Sequence, residues 1–170
     1  MDSITVGFSR ASGWFEPFSW IIMAGYWAPF SHTYVKFYLK ELDMNIIVQA
    51  SGLKVNMVSQ ALFDQQEIVY KEFTFPISED KKKAFVQFAF NQSGKPYNMV
   101  GILGMVWVRI GQLLGLKTKS PFNYNGSSDF CSELVGYVLE NYENIEFGEN
   151  VADLSPKDVY NVLIKTSVSS

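Results

Sequence analysis

Cysteine and histidine each occur once in the 170 residues, and these two scarcities exclude more than any other feature. A single thiol forms no internal disulfide, and one histidine beside one cysteine supplies no zinc-ligand set, so neither a structural metal nor a metal cofactor is expected. Nothing else in the sequence calls for a cofactor. Arginine is almost as rare, with only Arg10 and Arg109, and the net charge is -3, so there is no basic stripe to follow a phosphate backbone. Nucleic acid is not an expected partner. Charged residues make up 18 % of the chain, below the usual quarter or so. Repeats, linkers and low-complexity blocks are missing as well.

Long hydrophobic runs are also scarce. A membrane-spanning helix needs about 20 apolar residues. "PFSWIIMAGYWAPF" (17–30) is too short and is bracketed by prolines. "MVGILGMVWVRIGQLLGL" (99–116) comes closer but carries Arg109 and Gln112, and a charge near the middle of a span is expensive. A core or site-wall role is expected for it, which leaves room for peripheral contact with lipid. The opening "MDSITVGFSR" has an acid where an export signal would have basic residues and alternates like a strand, so no signal peptide is expected. Synthesis and folding in a cytoplasm is the simplest expectation.

What is present is apolar and aromatic. Hydrophobic residues make up 48 % and aromatic ones 16 %, enough for one good core in a chain of this length. One domain over 1–170 is expected, with 166–170 as a flexible tail. "SITVGFSR" reads as a strand, and Pro17 begins a short helix or an aromatic loop. "SHTYVKFYLK" is the clearest strand: Thr33, Val35, Phe37 and Leu39 form the core face, and His32, Tyr34, Lys36 and Tyr38 point the opposite way. "NIIVQAS" (45–51) returns as its hairpin partner, with Gln49 on the polar side. "GLKVNMVSQAL" and "QEIVYKEFTFP" supply two more strands, the latter alternating Ile68, Tyr70, Glu72 and Thr74 against Val69, Lys71, Phe73 and Phe75. An antiparallel sheet follows.

The second half changes period. Ser78 is an N-cap for a helix with an acidic first turn that stops at Gly94. A further helix is expected after Lys95 and Pro96, then a loop over "SPFNYNGSSD". "DFCSELVGYVL" opens the next helix, with Leu134, Val135, Val138 and Leu139 as its apolar stripe. Ser155 and Pro156 start the last helix. The fold class is therefore α+β.

The two rare residues carry the candidate chemistry. A thiol becomes strongly nucleophilic only when ionised, and a helix N-terminus beside an imidazole favours the thiolate. Cys131 stands at a helix mouth, and His32 stands at the start of a strand facing away from the core. A strand-borne base and a helix-borne thiol are the parts of a cysteine-hydrolase dyad. Gln49, on the polar face of the adjacent strand, can accept a ring N–H bond and orient the imidazole. Asp129 and Glu133 oppose thiolate formation if they approach the sulfur.

"SHTYVKF", "IIVQASG", "GKPYNMVGILG", "FCSELVGYVL" and "LSPKDVYNVL", in that order, resemble the circularly permuted NlpC-type cysteine hydrolases, the YiiX-like branch found in bacteria and phages. The resemblance runs from about residue 3 to about residue 164 and includes the reversed order, histidine before cysteine. It implies a permuted papain-like fold, an antiparallel sheet or partial barrel packed against several helices. It further implies Cys131 as nucleophile, His32 as base and Gln49 as third member. Gln49 stands where many relatives have glutamate, and Asn98 replaces the aspartate of their "PYD".

The implied reaction is acyl transfer through an acyl-enzyme, the backbone N–H of Cys131 helping to hold the oxyanion. Tyr97, Trp14 and Trp27 are substrate-cleft candidates. The expected substrate is an amide in a peptide or peptidoglycan fragment, handled in a cytoplasm or a virion. A second reading is a lipid or thioester acyl hydrolase or acyltransferase, favoured by the apolar stretches near Trp20 and Trp107. A third is a non-enzymatic binding or structural protein that keeps the fold.

Overall fold

The computed structural model describes residues 2–13, 17–51, 54–95, 104, 111, 114–116, 131–143, 145–147 and 154–168. The expected helix over 95–117, apart from a few isolated positions, and the loop over 120–129 lie outside the described residues.

Five strands form one antiparallel sheet: β1 (Asp2–Ala11), β2 (His32–Leu39), β3 (Met44–Ser51), β4 (Lys54–Ser59) and β5 (Glu67–Ile77), in the spatial order β4-β3-β2-β1-β5. Among the described residues five α-helices accompany it: α1 (Pro17–Tyr26), α2 (Gln60–Gln66), α3 (Glu79–Gln92), α4 (Cys131–Glu143) and α5 (Pro156–Val168). Among the described residues the architecture is α+β, as the change of period implies.

The alternation read from the sequence sets the first face of the sheet. Ile4 pairs with Phe37 and Val6 with Val35, while Val48 lies opposite Val35 on the other side. These side chains form one buried cluster with Phe85 of α3, with Leu134, Val135, Val138 and Leu139 of α4, and with Val159 and Leu163 of α5. Burying each such side chain contributes roughly 1.5–3 kcal/mol. Aromatic rings close one end: Phe8, Phe30 and Tyr160 sit with centroids 5.0–5.2 Å apart.

The helix starts follow their local chemistry. Ser78 accepts from the N–H of Lys81. At α5, Ser155 Oγ accepts from the N–H of Asp158, and the Asp158 carboxylate accepts from the N–H of Ser155 at 2.9 Å. This reciprocal capping box satisfies two orphan donors, with Pro156 pre-set at the first helical position. At the other end, α5 continues to Val168, past the start of the expected tail. Thr166 and Ser167 donate to the carbonyls of Val162 and Ile164 and extend the helical turn.

Two expectations need correction, and one face is more buried than its position opposite the core implies. The stretch expected as one strand over 52–62 divides at Ser59, whose side chain accepts from Leu62 N and caps α2. The polar face of β2 is not wholly exposed: Tyr34 is 0 % exposed, its ring tilted against Phe63 of α2 with centroids 4.5 Å apart and packed with Ile47. Strand β5 does not alternate without a break. Phe8 pairs with Lys71 but Ser9 with Val69, so Tyr70 is an inserted bulge residue, and its ring joins Phe73 around Tyr160.

The Tyr34 ring lies over Gly7, and its hydroxyl donates to Glu72 Oε1 at 2.7 Å, while Lys36 Nζ donates to both Glu72 oxygens at 2.7 and 2.8 Å. Burial, and then the Glu72 carboxylate, hold the Tyr34 hydroxyl protonated well above its ordinary range. A tyrosine whose folded-state pKa is raised contributes stability that is complete below its unfolded pKa of about 10 and is lost as pH rises beyond it. Urea unfolding from pH 8 to 11 should therefore show a steeper alkaline loss in the native protein than in Tyr34→Phe, which should itself cost about 1 kcal/mol at neutral pH. Equal alkaline slopes would remove Tyr34 as the cause.

Candidate functional site

His32 is the first residue of β2, and Gln49 lies on the neighbouring strand β3, across from Tyr34. Both belong to the face of the sheet opposite the three-helix layer, by alternation from Val35 and Val48. Their side chains meet: His32 Nε2 and Gln49 Oε1 are 2.9 Å apart. An amide oxygen only accepts, so the ring nitrogen in this bond is the donor. In the neutral imidazole the lone pair then sits on Nδ1, which becomes the basic atom. Gln49 is 4 % exposed, and a buried amide oxygen is costly without a partner. The bond thus fixes the ring and satisfies the amide together, as the placement of Gln49 on the polar side of "NIIVQAS" predicts.

Because Gln49 is neutral, it orients the ring through a dipole and gives an imidazolium less support than a carboxylate would. Gln49→Glu should raise the His32 pKa by about one unit or more, favouring the protonated ring. The chain's only histidine makes the measurement direct, by NMR titration of its ring protons. An unchanged titration would mean that the two side chains do not meet in solution.

Cys131 is the first residue of α4. Its side chain lies outside the described residues. The helix packs against β2 and β3, the two strands that carry His32 and Gln49. It does so from the Val35 side, through Leu134, Val135, Val138 and Leu139. The pair lies on the other side of the sheet but at its end, since His32 opens its strand.

Tyr97 and Trp14 lie outside the described residues. Trp27 follows α1 in left-handed backbone, with φ at 50°, and is 80 % exposed. Two residues that sequence reasoning passed over flank the pair. Ser9 is paired with His32 and is 0 % exposed, and Asn56 is paired with Gln49. Ser9 Oγ and Asn56 Oδ1 are both buried without a hydrogen-bond partner. They place unused hydrogen-bonding capacity beside the pair. The available signal was alternation: Ser9 falls on the polar side of "SITVGFSR", in a segment otherwise read only as core strand.

Among the described residues no group of histidine, cysteine and carboxylate side chains could hold a metal ion, and no helix is long and apolar enough to cross a membrane. No family model, curated protein or solved structure matches the chain.

Proposed function

We propose that the chain is a cysteine hydrolase of the permuted papain-like kind, with Cys131 as nucleophile, His32 as base and Gln49 as the residue that orients the base. The observation that carries this reading is the His32–Gln49 bond, which leaves Nδ1 as the basic atom of the ring. The position of Cys131 at the start of a helix packed on the same two strands supports it. In the proposed reaction, Nδ1 takes the thiol proton and the sulfur attacks an amide or ester carbonyl. The tetrahedral adduct then collapses to an acyl-enzyme, its C–N or C–O bond breaking as the leaving group takes the proton from the imidazolium, and water then releases the acyl group. The preferred substrate is an amide in a peptide or a peptidoglycan fragment, met in a cytoplasm or a virion. Lipid esters and thioesters are the competing acyl donors.

The test is acyl trapping. Protein quenched during exposure to activated amino-acyl and fatty-acyl esters should carry the acyl group on Cys131 by mass spectrometry, and Cys131→Ala should carry none. Absence of acylation from every ester tried would count against the nucleophile. A specific observation favours a second reading: α4 and the His32–Gln49 pair occupy opposite faces of the sheet. In that reading the bond is a structural tie in a binding module, and Cys131 reacts as an ordinary thiol.

A further inference from the structure

At the end of the sheet nearest His32, the last turns of α1, the segment that follows it and the first residues of β5 line a groove of about 370 Å³. One wall is Met23 and Pro29, the other Ile68, Val69 and Tyr70, and Arg10 lies between them. The size falls at the lower end of small-molecule sites, about 300–1,000 Å³. Ile68, Val69 and Tyr70 are all exposed, an unusual concentration of apolar surface on one edge strand.

Arg10 gives the groove its sign. It is one of two arginines in the chain, and its side chain makes no ion pair or hydrogen bond among the described residues. A guanidinium held among apolar walls lacks the charge partner that such surroundings favour, and its planar fork matches a carboxylate in bidentate geometry. Among the described residues no second basic residue lines the groove. Lys71, the nearest in sequence, holds its Nζ over the Phe73 ring at 5.9 Å. One cation with apolar walls suits a monoanion attached to a hydrocarbon; a doubly charged phosphate group would call for more positive charge.

We propose that this groove binds an alkyl carboxylate, with the head group on Arg10 and the chain along Met23, Pro29, Ile68 and Val69. The site is independent of the hydrolase reading and stands whether or not Cys131 is a nucleophile. The bulge at Tyr70 helps to build it, because the extra residue breaks the alternation that would otherwise send Ile68 and Tyr70 to the side opposite Phe73.

The test uses the full chain and the displacement of fluorescent cis-parinaric acid by decanoate, decanol and decyltrimethylammonium, all below their micellar concentrations. Decanoate should displace the probe saturably at one site, and Arg10→Met should weaken it by at least about tenfold, the usual loss for a hydrogen bond to a charged group. Decanol should bind more weakly than decanoate in the native protein and be unaffected by Arg10→Met. A second variant, Val69→Asp, changes an exposed position and should abolish decanoate binding by repulsion. The proposal is overturned if decanol matches decanoate, if neither variant changes decanoate affinity, or if no saturable displacement occurs. Tighter binding by a short peptide with an apolar C-terminus would also overturn it, since the groove would then be a peptide site.

Discussion

Iodoacetamide should alkylate Cys131 at pH 6.5 at least about tenfold faster in the native protein than in His32→Ala, because a free thiol with a pKa near 8.5 is only about 1 % ionised there. The argument starts from the tautomer. Gln49 Oε1 accepts from Nε2, so Nδ1 is the atom able to take the thiol proton, and the resulting imidazolium stabilises the thiolate. Removing the ring removes the acceptor, and the rate should revert to an ordinary thiol titration. Gln49→Leu should lie between the two, since the base remains but nothing fixes its orientation. Because the chain has a single cysteine, total alkylation by mass spectrometry reports one site. A native profile centred near pH 8.5 and unchanged by loss of His32 would sink the dyad and leave the binding-module reading.

Gly7→Ala should destabilise the protein by about 4 kcal/mol, combining overpacking of the ring beside it with the loss of a hydrogen bond to a charged group. A β-carbon at position 7 would lie 2.1 Å from Cζ of Tyr34, far inside contact distance. The ring has little room to yield, since Phe63 packs against it with centroids 4.5 Å apart and its hydroxyl is held by Glu72. Moving it breaks the bond to Glu72 and opens the packing beneath α2. Urea unfolding would give the cost. The cause is checked with Tyr34→Leu: in that background the added methyl group should cost much less, a non-additivity confined to residues in contact. A Gly7→Ala protein within about 1 kcal/mol of the native one would show that the ring moves freely.

These two residues also show where the sequence is legible. The odd face of β2 could be read directly, because Val35, Phe37, Ile46 and Val48 repeat with period two and bury together. The starts of α3 and α5 were equally clear, because Ser78 and Ser155 are local caps whose partners lie three residues away. The burial of Tyr34 was not legible. It depends on α2, a seven-residue helix whose sequence "QALFDQQ" follows a strand with no Gly or Pro to mark the change. The bulge at Tyr70 was hidden for a related reason: it exists only in the register between β1 and β5, and a strand's own residues do not encode its partner's spacing. For the site, the polar face located His32 and Gln49, and their bond is a local property of adjacent strands. The relation of Cys131 to them is a matter of how a distant helix approaches the sheet, which period and composition do not specify.

The contact between Lys157 and Tyr26 bears on the order in which the molecule can be assembled. Lys157 Nζ donates to the Tyr26 carbonyl at 2.7 Å, joining the first turn of α5 to the last residue of α1 across 131 positions of sequence. A cation there meets the negative end of the α1 dipole and caps a carbonyl left open by the helix. During synthesis, the segment around the Arg10 groove therefore waits for the last helix before it is tied down. Strand β1 can pair early with β2, but its other edge waits as well, since its partner β5 there is more than fifty residues away. Pairings of this length slow folding, because loop closure must be completed before the contacts that reward it. A nascent chain halted before residue 154 would expose the apolar rows of the sheet to which α5 is packed, a surface open to aggregation until α5 is made.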